Sequence, residues 1–127
     1  MASILNVDTI SGKTTADQVT VNVGAATQHI QAGLSKMFAA FDGGAASMFD
    51  SLNVDSFTDT STGAYSVTFT NNFASTGYVQ AVHSNNFHTI PSSGGHATSG
   101  FTFQTFTSGN SNGDCAYIGG TATGDLA

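Results

Sequence analysis

A chain of 127 residues can fold as one modest domain with a real but limited core. Two basic residues, Lys13 and Lys36, stand against eight Asp, with no Arg or Glu, so the formal charge is -6. Cations this sparse argue against binding the phosphates of nucleic acid and against adsorption to anionic membranes. Solubility has to come from Ser, Thr, Asn and Gly, the surface chemistry of secreted adhesins and viral appendages more than of cytoplasmic enzymes. Cys115 is the sole cysteine, which rules out an intrachain disulfide. The opening MASILNVDTISGK lacks the basic and continuous apolar stretches of a signal peptide, and no run reaches the roughly 20 apolar residues of a membrane helix. A soluble protein with no membrane insertion is expected, and if it ends up outside a cell it leaves by a route other than an N-terminal signal.

Residues 1–24 read as an extended N-terminal arm. Ile4, Leu5, Val7 and Ile10 form a short apolar patch, Ser11-Gly12 marks a turn, and Val19, Val21 and Val23 alternate as in a strand with one apolar face. Such an arm needs a partner surface, and docking on another protein is the expectation. Residues 25–42 read as the chain's one α-helix. Ile30, Leu34, Met37 and Phe41 are spaced by four, three and four residues, with Phe38 widening the stripe, and Asp42-Gly43-Gly44 supplies the stop. Gly33 costs such a helix about 1 kcal/mol relative to Ala, so the helix is expected to form only when packed.

Residues 43–127 read as a β domain. Phe49, Leu52, Val54 and Phe57 make an irregular apolar series, Asp59 to Gly63 is loaded with turn formers, and Tyr65, Val67 and Phe69 alternate as a half-buried strand. Tyr78 to His83 is the next strand. Phe101 and Phe103 share a face, whereas Phe106 has the opposite parity, so that strand either bulges or is apolar on both sides. Cys115 and Tyr117 form a last short alternation before the tail GGTATGDLA. The fold class is therefore mainly β: an antiparallel sandwich or jelly-roll-like domain with one helix in the N-terminal half and an extended arm.

Chemistry is sparse. His29, His83, His88 and His96, with Asp114 and Cys115, lack the tight spacing of structural zinc motifs, so neither metal nor cofactor is expected. No Ser sits in a G-x-S-x-G frame, and Asp50, Asp55 and Asp59 lie among turn formers, so no catalytic residue is assigned and the protein is read as not an enzyme. Cys115 reads as a small core residue. A binding function draws on rings that stack on sugars and amides that bond hydroxyls, namely Tyr65, Tyr78, Phe87 and His88 with Asn85 and Asn86. Against it, Tyr65 and Tyr78 also fit core strand positions, which leaves Asn85, Asn86, Phe87 and His88 as the candidate ligand loop.

The run SLNVDSFTDTSTGAYSVTFTNNF, from Ser51 to Phe73, resembles the "sFNVsSitDnGtGdYtVtFtn" pattern of tail-fibre-like and other virion-appendage proteins of tailed, chiefly marine, bacteriophages. MASILNVDTISGKTTA and IQAGLSKMFAAFDGG are similar to the "MAStlnVdtI" start and "LqqGLaKaWvnFnG" segment of the same proteins, in the same order. Phe38 stands where the family has Trp, and Asp42-Gly43-Gly44-Ala45 where it has an Asn-Gly-Thr-Gly turn. The resemblance implies a structural protein of the virion surface, attached by its N-terminal part to other virion proteins of capsid or tail, with the β domain outward and commonly a homotrimer. Ile4, Leu5, Val7 and Ile10 would then serve attachment, while Ile30, Leu34, Met37, Phe38 and Phe41 would meet near a threefold axis. The chain is too short for the shaft of a long fibre, so a short fibre, a head fibre or a capsid-decoration protein fits its size. The alternative is a fibre-tip protein that binds a host receptor or surface glycan.

Overall fold

The computed structural model describes residues 20–23, 26–29, 34–92 and 94–127. The chain divides into two compact units, Met1–Leu34 and Ser35–Ala127. In the first, β1 (Thr20–Val23) and β2 (Ala26–His29) pair antiparallel, from Thr20 opposite His29 to Val23 opposite Ala26. The alternation at Val21 and Val23 thus pairs with residues expected to open the helix. Ile4, Leu5, Val7, Ile10 and Ile30 lie outside the described residues.

The second unit is built from β3 (Met37–Asp42), β4 (Ser47–Leu52), β5 (Val54–Ser61), β6 (Ala64–Phe69), β7 (Val79–Ser84), β8 (His88–Pro91), β9 (Gly100–Phe106) and β10 (Ile118–Thr123). They form two four-stranded antiparallel sheets, ordered β4-β3-β10-β7 and β5-β6-β9-β8. One core joins them: Met37, Ala39 and Phe41 of β3 and Ile118 and Ala122 of β10 on one side, Tyr65, Val67, Phe69, Phe101 and Phe103 of β6 and β9 on the other. The ring of Phe41 stacks on that of Phe57 in β5, centroids 4.1 Å apart, so the inner faces meet directly. This is the layered β arrangement expected of the domain, with apolar residues at every second position facing inward.

No helix occurs among the described residues, and the one expected over 25–42 is replaced by β2 and β3. Met37 and Phe41 lie four apart, a spacing that puts two side chains on one face whether the period is 3.6 or 2. What separates the two readings is Phe38, which shares that face in a helix and opposes it in a strand. In β3 it points outward while Met37, Ala39 and Phe41 are buried. The extended form lets β3 pair on both edges, with β4 and β10, and buries Phe41 against Phe57. The boundary between units accordingly falls at Leu34, inside the segment assigned to the helix.

The irregular series from Phe49 to Phe57 also has a physical cause. The chain leaves one sheet and enters the other between β4 and β5, at Asn53, whose φ of 58° is left-handed. Asn53 Oδ1 accepts from Asn71 N at 2.7 Å and its Nδ2 donates to Asn71 O at 3.0 Å, which fastens this corner. Phe106 falls on the opposite face from Phe101 and Phe103, and β9 keeps an unbroken register with β6 and β8.

Candidate functional site

The two sheets have different outer faces. On the second, Ser66, Thr68, Thr102 and Gln104 point away from the core, and Ser56 Oγ and Thr68 Oγ1 share a hydrogen bond of 2.6 Å. Ile90, 49% exposed and opposite Gln104, and Phe106 share this face with them. On the first, register places Leu52, Phe38, Thr121 and Ala81 in one row across four strands, and Asp50, Ala40, Gly119 and His83 in the next. Phe38 is 40% exposed and Leu52 48%, in neighbouring strands and directly opposite each other. Apolar side chains side by side on an outer sheet face signal contact with something other than water.

The far end of this face carries rings. Pairing between β3 and β4 slips between Ala40 and Phe41, and Phe49 is the extra residue of that bulge. The bulge leaves Phe49 60% exposed, its ring centroid 6.2 Å from that of Tyr117 with planes 16° apart. Tyr117 is 43% exposed, and His83 lies 6.4 Å from it at 48°. His83 covers Gly119, where an added Cβ would overlap the imidazole at 2.3 Å. Polar groups surround the rings. The Asn85 amide donates to Tyr117 O at 3.2 Å, one step beyond the β7–β10 pairing, and Asn85 Oδ1 accepts from the buried Cys115 thiol at 2.7 Å. Asp42 Oδ1 accepts from Gly44 N and Ala45 N, at 2.9 and 3.0 Å, and Asp50 Oδ1 from Ser51 N at 2.8 Å.

The residues singled out in the sequence are dispersed. Met37 and Phe41, expected at a threefold axis, are fully buried in their own core, because strand alternation turns them toward the second sheet. Leu34 and Phe38 stay exposed, and Phe38 lies opposite Leu52 across the β3–β4 pair rather than in a helical stripe. The loop Asn85, Asn86, Phe87 and His88 is split in three. Phe87 packs on the core and against Gly113, His88 stands exposed in β8 of the second sheet, and Asn85 borders Tyr117 in the first. Tyr65 and Tyr78 are core residues, and burial pushes both hydroxyls up to about 12. The exposed ring set was missed because Phe49 and Tyr117 lie 68 positions apart and meet only through a bulge and through β10. That strand, IGGTAT, is central in its sheet although its glycines read as tail.

A groove of about 290 Å³ opens at the Leu52 end, lined by Lys36, Leu52, Asn53, Asn71 and Leu126 among others. Lys36 is buried, its N–H donating to Ala122 O at 2.9 Å. Among the described residues, no three His, Cys, Asp or Glu gather as metal ligands do. No protein-family model, curated protein or solved structure matches the chain.

Proposed function

We propose that this chain is a non-enzymatic structural protein of a tailed-phage virion surface, a short appendage or capsid-decorating subunit that assembles as a homotrimer. The observation that carries the reading is the exposed pair Phe38 and Leu52 on an uncharged row of the first sheet, with Leu34 exposed just before β3. Charged groups are depleted where protein interfaces are most buried, and this row has none. The three sequence blocks in virion-appendage order and a β domain preceded by a separate unit, Met1–Leu34, support the same reading. Self-association through Phe38 and Leu52 replaces the helical seam. Attachment to other virion proteins falls to the first unit, with Ile4, Leu5, Val7 and Ile10 as its apolar patch.

Sedimentation equilibrium tests the assembly. The wild type is expected at three times the chain mass at micromolar concentration, and Phe38→Ser with Leu52→Ser at one. A single-chain mass for the wild type would remove the trimer. Electron cryomicroscopy of the encoding particle tests the setting, and particles that lack the chain would remove the virion role.

A further inference from the structure

The opposite end of the same sheet face has another chemistry. The exposed rings of Phe49 and His83 flank that of Tyr117 at centroid distances of 6.2 and 6.4 Å, and Ala40, with its short side chain, sits in β3 between the strands that carry them. Asp42, Asp50 and Asn85 stand at the rim. Rings that stack on C–H faces, carboxylates that accept from hydroxyls and an amide that donates to them are what a sugar ring needs. Asn85 is set for this. Its Oδ1 is occupied by the Cys115 thiol, which leaves the Nδ2 donor for a ligand. The charge then selects. Asp42 and Asp50 repel anions, and Lys36 stands before β3 at its other end.

We infer that Phe49, Tyr117 and His83, with Asp42, Asp50 and Asn85, form a binding site for neutral saccharides and reject sialylated or uronic-acid glycans. The inference deepens the virion-surface reading by naming what the outward domain contacts, and it rests on that reading only for its biological setting. Binding is a property of the isolated protein.

The test is a titration of the full ¹⁵N-labelled chain with maltohexaose, cellohexaose, laminarihexaose and mannohexaose, and with oligogalacturonate as the anionic probe. At least one neutral hexasaccharide is expected to shift the amides of Ala40, Asp50, His83, Asn85 and Tyr117 with a millimolar Kd, the range of a weak single-site complex worth about 4 kcal/mol. Tyr117→Ala and Phe49→Ala, both at exposed positions, should each weaken it about tenfold, since a ring stack is worth about that much. His88→Ala and Phe38→Ser should leave it unchanged. Phe38→Ser with Leu52→Ser, the variant expected to remove self-association, should also bind as the wild type does, so sedimentation of the same samples reads assembly apart from saccharide binding. No shift with any neutral probe at about 10 mM, shifts confined to other residues, undiminished binding by Tyr117→Ala, or equal binding of oligogalacturonate would each overturn the site.

Discussion

Tyr78 shows how one side chain can serve the fold where its type suggests a ligand. Its hydroxyl donates to Ala97 O at 3.1 Å and Gly100 O at 3.0 Å, its ring stacks between Phe73 and His96 with centroids 4.3 and 4.1 Å away, and His96 is held by Thr76 O. Tyr65 is comparable: its hydroxyl donates to Asp114 Oδ1 at 3.2 Å and lies beneath Gly43, where an added Cβ would come 2.5 Å from the Tyr65 hydroxyl oxygen. Burial raises both folded pKa values to about 12, above the unfolded value of about 10. The stability that comes from keeping these groups protonated is therefore complete below pH 10 and is lost as the pH rises through 12. While both remain protonated only in the fold, the loss runs at roughly 1.4 kcal/mol per pH unit for each ring. Urea midpoints are expected to stay level up to about pH 9.5 and to fall above pH 10. Tyr78→Phe should shallow that fall while costing about 1 kcal/mol at neutral pH, the worth of one buried hydrogen bond. Midpoints level to pH 12 in the wild type would show that the rings ionise without cost.

At the scale of the element, β3 decides the reading of the segment that looks most helical. Helix and strand periods agree about Met37 and Phe41 and disagree about Phe38. Stability measurements on two variants separate them. Phe41→Ala should cost roughly 3 to 5 kcal/mol, because it empties a fully buried site stacked on Phe57. Phe38→Ser should change the monomer's stability by less than about 0.5 kcal/mol, as exposed substitutions do. Comparable losses at both positions would restore a common buried face and with it the helix. Strands β6 and β7 are plainer in the sequence. Tyr65, Val67 and Phe69 alternate in the sequence and alternate in β6, and Tyr78 to His83 covers most of β7.

At the scale of the molecule, one sandwich shows an outer face of Ser, Thr and Gln interrupted by Ile90 and Phe106, and an outer face with two unlike ends. The division at Leu34 makes a direct prediction. A chain from Ser35 to Ala127 contains both sheets and the whole shared core, so it should unfold in one cooperative transition with nearly the wild-type midpoint. A broad, early transition in calorimetry would show that the first unit completes the core. The boundary at 24 and the helix at 25–42 rest on hydrophobic spacing and on the glycine stop at Gly43-Gly44. The boundary at Leu34 follows from where β3 begins to pair with β10.

The sequence by itself determined the class and the second sheet's side of the core. Period-2 alternation at residues 65–69 and 101–103 is a local property of the chain, and any sheet that buries one face must turn Tyr65, Val67, Phe69, Phe101 and Phe103 inward. The lack of cations likewise needed no structure, since charge is a sum over residues. Only the tertiary structure decided which way Phe38 points, because that depends on β3 gaining partners on both edges. The same holds for the candidate site. Phe49 reaches Tyr117 only because a bulge in β4 re-aims it, and Asn85 reaches Tyr117 only because β7 pairs with a glycine-rich strand whose place in the sheet depends on its neighbours rather than on its own propensity.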